Sequence, residues 1–447
     1  MKATKTAIIA LVLGGLTATA ANAGEHPYGG ITFSGTFDID GIGRVTDYTV
    51  WPETYPTQYH AKAVLAEGQS LFGYSVSDEP NNQIRYPLMD ESLWFMPPME
   101  SDAVMTVSPI VATEQFWVNP DKSIGSDSNS GISPSSPFET LQKAVSSASN
   151  KSASYAVVHA AAGSYTNNTG CSSDQTAARV HIDRQVRIKG AGRGVSFLRG
   201  AKDTTSGNAD EYGCGPNAVR CVQFSSFSKA CVQGFTICDG YSDLSSSTPE
   251  KKKGGIVCKG TINQIVDCTV TNCFGYNGEA AYFGSFMRCV VTCCDGIANQ
   301  TTIGGNAANL RITCSVVRTR SAGGSTAAVG GSTIYQSTVT GDWKGGDVHG
   351  ACGFGTATVA TNCVLGAGDR AVNSNGGVHG NLIWAGNGGI NTVFWERTSD
   401  TAAPWRTPGM CRFSTTCSAM TQRRFRYRPS SAQASCTPTT TRRTPLT

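Results

Sequence analysis

Charged and amide residues recur at one place in this chain of 447 residues. Four to six positions after an apolar residue of a repeated phrase stand Asp239, Asn272, Asp295, Arg318, Asp342 and Asp369. If the repeats stack, these residues line one corner of successive coils. Two carboxylates held roughly 5 to 10 Å apart can act as acid and base, or acid and nucleophile, at a glycosidic bond. Asp295 and Asp342 lie two repeats apart, about 10 Å at strand spacing, and are the candidate catalytic pair. Asp239, Arg318 and Asp369 are candidate ligand contacts. Aspartate is also a common turn residue because its side chain bonds its own backbone, so a row of solvated turn aspartates is the competing reading. Tyr241, Tyr276, Tyr282 and Trp343 lie near the same turns. All four read as exposed platforms for the C–H faces of sugar rings, Tyr276 and Trp343 being the candidate ligand contacts, although aromatic rings also pack at ordinary coil edges.

The stretch Gly125-Ser126-Asp127-Ser128-Asn129-Ser130-Gly131 places acid and amide at alternate positions, as calcium loops do. It lacks the later Gly and Glu of an EF-hand, so a polar turn is expected. No tight cluster of Asp and Glu falls on successive repeats, and no metal ligands are assigned.

The elements that must position these residues are visible as a repeat. Gly234-Phe235-Thr236-Ile237, Asp267-Cys268-Thr269-Val270, Arg288-Cys289-Val290-Val291, Thr313-Cys314-Ser315-Val316, Gln336-Ser337-Thr338-Val339 and Asn362-Cys363-Val364-Leu365 are one phrase, spaced 33, 21, 25, 23 and 26 residues apart. Gly380-Asn381-Leu382-Ile383 is a weaker copy. Such a period is too short for a strand–helix–strand unit and long enough for three short strands and three turns. Coils of that size bury their apolar side chains only against the coils above and below. The pattern predicts an all-β protein whose body is a right-handed parallel β-helix solenoid; the Leu-rich consensus of the competing leucine-rich solenoid is absent. Repeated Cys and Val positions should form ladders inside the tube, with Cys268, Cys289, Cys314 and Cys363 acting as small buried apolar residues.

Upstream, Ser136 with Glu139 three residues on reads as a capping box, with Pro137 at the first helical position. Phe138, Leu141, Val145 and Ala148 follow helical spacing, which predicts a capping helix from Pro137 to about Ser149 over the open N-terminal end. Residues 24–112 contain β-like segments at Ile31 to Phe37, Asp47 to Trp51, Leu71 to Val76 and Val104 to Val111, read as a small β module; the solenoid is placed at 113–400.

Lys2 and Lys5 precede an apolar run from Ala7 to about Leu16 and the small-x-small Ala21-Asn22-Ala23. This is the pattern of a signal peptide over 1–23, with secretion or surface display as its consequence. No membrane span is expected after its cleavage. Residues 401–447 are rich in Arg, Thr, Ser and Pro and read as a disordered tail or the product of a frameshift. The net charge of +4 hides an uneven distribution, because eight Arg and no acid fall in residues 406–447. Without those and the two N-terminal lysines the body is slightly acidic, which argues against nucleic acid as a partner.

The stretch from Phe116 to Tyr165, with Gly125-Ser126-Asp127, Ser136-Pro137-Phe138-Glu139-Thr140-Leu141-Gln142-Lys143-Ala144-Val145 and Ala162-Gly163-Ser164-Tyr165, resembles the opening of the pectin-lyase-like β-helix superfamily, and the family 9-like pectate lyases with their uncharacterised relatives in particular. The resemblance covers about Phe116 to Trp395. It implies a polysaccharide or cell-surface glycan partner, with lyase or glycoside hydrolase chemistry among the activities. For a lyase it implies Ca²⁺ held by carboxylates, for which no ligand cluster is found here. The superfamily's polygalacturonase pattern contains Arg-Ile-Lys and Gly-His-Gly. Arg187-Ile188-Lys189 precedes the repeats instead of following the acids, while His349 and His379 lack the first glycine, so these read as chance matches. Because this fold hosts enzymes and adhesins alike, two classes stay open: a carbohydrate-active enzyme, and a non-catalytic adhesive or structural surface protein.

Overall fold

The computed structural model describes residues 28–51, 58–77, 84–98, 103–151, 154–167, 177–209, 213–225, 229–243, 254–258, 262–275, 281–282 and 284–292. Beyond these it describes the backbone of the strands between Asp295 and Thr392. Residues 1–23 and 401–447, together with Asp369, Tyr276, His349, Cys314 and Cys363, lie outside the described residues.

The N-terminal module contains β1 (Gly30–Ile39), β2 (Gly43–Val50), β3 (Tyr59–Ala63), β4 (Leu71–Val76), β5 (Ile84–Arg85), β6 (Ser92–Phe95) and β7 (Val104–Val111). They form one sheet in the order β5-β4-β7-β1-β3-β6, with β2 added on β1. Alternation drives it: Tyr59, Ala61 and Ala63 of β3 and Leu93 and Phe95 of β6 are buried, with Phe33, Phe37 and Tyr74, in one apolar cluster. The four expected segments are strands; β3, β5 and β6 are too short or too polar to stand out by pattern alone.

β8 (Glu114–Val118) opens the solenoid by pairing in parallel with Ala156–Ala160. Three parallel sheets follow, each taking one strand per coil. The first sheet runs from β8 through Ala156–Ala160, Val186–Lys189, Cys231–Gln233, Gln264–Val266 and Gly284–Met287 to Val378–His379. The second runs from Gly163–Tyr165 through Ser196–Arg199, Thr236–Cys238, Thr269–Thr271, Val290–Thr292, Val316–Ser321 and Thr338–Trp343 to Leu382–Ala385. The third runs from Ala177–Ile182 to Gly389–Thr392. Winding is right-handed, as parallel crossovers are.

Register converts the repeat into ladders. In the second sheet Leu198, Ile237, Val270 and Val291 stack in one row without solvent exposure, and the row continues at Val317, Val339, Leu365 and Ile383. The first sheet stacks Val158, Ile188, Val232, Ile265 and Phe286 in the same way. The repeated phrase is a corner of the tube. Its first residue takes a left-handed backbone in Gly234 (φ 74°), Asp267 (φ 51°) and Arg288 (φ 55°). Its second residue turns inward as Phe235, Cys268 and Cys289, all buried. Cys268 and Cys289 are free thiols in the core, as expected; burial pushes the Cys289 thiol up to about 12, which keeps it protonated and inert.

The helix α1 is shorter than expected, Leu141–Ser147, and its N-cap is Thr140 in place of Ser136. Phe138 continues the extended chain instead: its N–H donates to Trp117 O and its own carbonyl accepts from Asn119 N. Asp127 then accepts from the Glu139 and Thr140 N–H groups (3.0 and 2.9 Å) and from the Thr140 hydroxyl (2.8 Å). The polar loop from Gly125 is therefore a brace for the helix start. Gly131 (φ 70°) permits this, since a Cβ there would enter the Phe138 ring. Leu141, Ala144 and Val145 join the tube's apolar cluster, and α1 packs against β8, Ala156–Ala160 and Ala177–Ile182, the first strands of the solenoid.

Candidate functional site

The outer faces of the first two sheets differ in what reaches them. On the first sheet, Arg187 is fully buried. Its guanidinium donates to Gln233 Oε1 (2.9 and 2.6 Å), to Leu71 O (2.7 Å) and to Glu91 Oε2 (2.6 Å) of the N-terminal module. Lys189 pairs with the other Glu91 oxygen. Gln233 donates to Pro87 O (2.7 Å) and to Asp267 (2.9 Å), and Arg288 clasps Asp267 at 2.7 and 3.0 Å while donating to Pro87 O. Phe72, Ile84 and Tyr86 of the module pack on Val157, Cys231 and Val266. Arg187-Ile188-Lys189 is thus a docking element for the module, which accounts for the motif without chemistry.

The second sheet's outer face carries no such cover along its described strands. Thr236, Thr269, Thr271 and Thr292 line it, each half-buried. At its edge Arg199 lies over the Phe197 ring (5.0 Å) and donates to Asp239 Oδ2 at 2.8 Å; Asn272 Nδ2 donates to Asp239 Oδ1 at 2.6 Å. Asp239 (φ 58°) and Asn272 (φ 50°) occupy equivalent left-handed corner positions. Tyr241 is not the exposed platform expected: it is buried, stacked on Phe274 with ring centroids 5.1 Å apart. The corner loop is folded inward there, with Lys202 over the Tyr241 ring.

Further along the same sheet, strand register places the remaining candidates. Asp295 pairs with Arg320, and Arg320 pairs with Asp342. The three occupy one row across adjacent strands, with the carboxylate-bearing positions two strand spacings, about 10 Å, apart. Arg318 falls two residues earlier, opposite Thr340, and Trp343 is opposite Ser321. Arg318, Arg320 and Asp342 stand at strand positions that alternate with Val317 and Val339. Arg320, six positions after Cys314, lies in the same window as Arg318, and the strand register that sets it opposite both Asp295 and Asp342 is what singles it out.

Among the described residues no group of three or more His, Cys, Asp and Glu side chains is arranged to hold a metal, and no helix is long and apolar enough to cross a membrane.

A family model described as "Protein of unknown function (DUF1565)" matches residues 123–383. No curated protein matches the chain. Among solved structures, a pectin methylesterase from carrot is 13% identical, covering 63% of this chain and 88% of its own, with a TM-score of 0.40. An iota-carrageenase from A. fortis is 12% identical over 60% of this chain and 57% of its own, at 0.31. The A-module of the Azotobacter vinelandii mannuronan C-5 epimerase AlgE4 is 11% identical over 64% and 100%, at 0.25. The three parallel sheets with one strand per coil make the chain the parallel β-helix that its repeat predicts.

Proposed function

The chain belongs to the DUF1565 family, and we propose that it engages an extended polysaccharide along the outer face of the second sheet, centred on Asp295, Arg320 and Asp342. The observation that carries this reading is the shared register of those three residues. A polymer lying along the tube axis meets one new row of residues every ~4.8 Å, and an Arg in that row supplies the bidentate fork that pairs a sugar acid's carboxylate. Asp295 and Asp342 are then the acid and base for turnover, at a separation open enough for a water. Arg318 stands two positions before Arg320 in the same strand, Trp343 falls on the alternate position next to Asp342, and Asp239 with Arg199 marks the upstream end of the sheet. The reading includes export, with removal of residues 1–23; N-terminal sequencing of the secreted protein checks that part.

The test is the purified chain against a polyuronate panel, following absorbance of unsaturated product and release of reducing ends, with and without chelator. Replacing Asp295 and Asp342 together by Ala should abolish binding or turnover while leaving stability within about 0.5 kcal/mol, as surface changes do. Unchanged binding and turnover in the double variant removes this row from consideration. A parent chain that interacts with no glycan supports the structural or adhesive class instead.

A further inference from the structure

The N-terminal module has two outer edges of opposite character. Its β4–β5 edge is sealed to the solenoid through Phe72, Ile84 and Tyr86. Its other edge, β3 and β6, presents Trp94 to solvent at 53% exposure and Met96, two residues on, at 47%. A single exposed apolar residue is ordinary. Trp94 is set apart by its mounting. It is the direct cross-strand partner of His60, and the two rings lie with centroids 4.6 Å and planes 31° apart. His60 is pinned at both nitrogens, Nδ1 at 2.6 Å from Asp40 Oδ2 and Nε2 at 2.7 Å from Ser92 Oγ.

Asp40, His60 and Ser92 have the connectivity of a nucleophile-activating triad, but the surroundings rule against that role. Ser92 is 2% exposed, so an incoming acyl group has no path to it. Its single hydroxyl proton goes to Asp90 Oδ1 at 2.7 Å, so His60 Nε2 donates in the contact where a general base would have to accept. The network holds the imidazole rigidly and, through it, the indole. The Asp40 carboxylate, 79% exposed, stands at the rim.

We propose that this edge of the module is a sugar-binding site separate from the solenoid face, in which Trp94 stacks on the C–H face of a pyranose ring of a polysaccharide and Asp40 accepts from the ring's hydroxyls. A sugar ring offers an apolar patch ringed by hydroxyl donors; its complement is a flat, rigid aromatic with a polar acceptor at the edge. Aromatic side chains supply such contact area with little conformational freedom to lose, and a mounted ring loses less still. A protein partner fits poorly, because a stable protein interface needs about 800 Å² per side around an apolar centre, whereas this patch is one indole and one Met beside the charges of Asp38, Arg44 and Lys62.

The experiment is affinity electrophoresis of the full chain through gels containing polygalacturonate, alginate or xyloglucan, run beside Trp94→Ala, Trp94→Phe and the Asp295/Asp342 double-alanine variant. The expected result is retardation of the parent in at least one gel, weakened roughly tenfold by Trp94→Ala, equivalent to about 1.4 kcal/mol. Trp94→Phe should keep most of it, and the solenoid variant should keep the Trp94-dependent part. Thermal midpoints of both Trp94 variants should match the parent. Equal retardation of parent and Trp94→Ala overturns the proposal, as does a parent retarded in none of the gels. Loss in the solenoid variant alone would leave the solenoid site standing and the module site refuted.

Discussion

Two faces of one solenoid carry similar residue types to different ends. On the first sheet Arg187, Lys189, Gln233 and Asp267 are covered by the module and tied to its backbone and to Glu91. On the second sheet Arg199 and Asp239 stay partly in solvent, at 40% and 33% side-chain exposure, and Asp295, Arg320 and Asp342 share one register row further along the same sheet. A charge removed from water must find partners or unfold its surroundings, so the covered face uses its charges as structure. A charge left in water keeps its affinity for a ligand. Composition alone does not separate the two; what lies above the strand does.

The comparison is broken most directly at Arg187. Arg187→Ala should destabilise the chain by roughly 2–4 kcal/mol, because Gln233 Oε1 and Leu71 O lose their donor in a buried place and Glu91 keeps only Lys189. Urea unfolding measures this, and a loss below about 1 kcal/mol would show that the covered face does not depend on its charges.

A second, smaller effect comes from His159, which touches Ser70 of the module and stacks on Trp117. Burial, with the Lys189 and Arg187 cations adding to it, lowers its pKa to about 4. The unfolded chain takes up the proton near 6.5. Stability from the neutral imidazole is therefore complete above about pH 6.5 and is lost as pH falls toward 4. Thermal midpoints of the parent should drop across that window, and those of His159→Gln should drop less. Equal slopes would detach His159 from the seam.

The smallest effect belongs to the open face. Arg199→Ala breaks a partly exposed ion pair and should cost about 0.5 kcal/mol or less, with any larger consequence confined to glycan binding. A destabilisation as large as that at Arg187 would erase the distinction between the faces.

How much of this was legible beforehand depended on how local the cause was. The corner phrase was readable because its described copies, at Gly234, Asp267 and Arg288, repeat one physical requirement, a residue able to take a positive φ followed by a small or aromatic residue turned inward. The helix start was misread at Ser136 because the residue that caps and braces the turn, Asp127, lies in the preceding loop, and no local motif joins it to Thr140. Arg320 lies in the same window as Arg318 and was passed over because only the strand register sets it opposite both Asp295 and Asp342. Tyr241 was expected in solvent because nothing near it in sequence announces that Phe274, one coil on, will cover it.

By itself the sequence determined the coil. Its period, its alternating apolar positions and its inward cysteines are requirements that each repeat meets against an equivalent neighbour, so they can be read from one chain. Only the tertiary structure decided which outer face is free. The module that covers the first sheet meets it through residues far apart in the chain, such as Glu91 with Arg187, 96 positions on, and Pro87 with Gln233, 146 positions on. Such contacts leave no periodic trace, because each is made once.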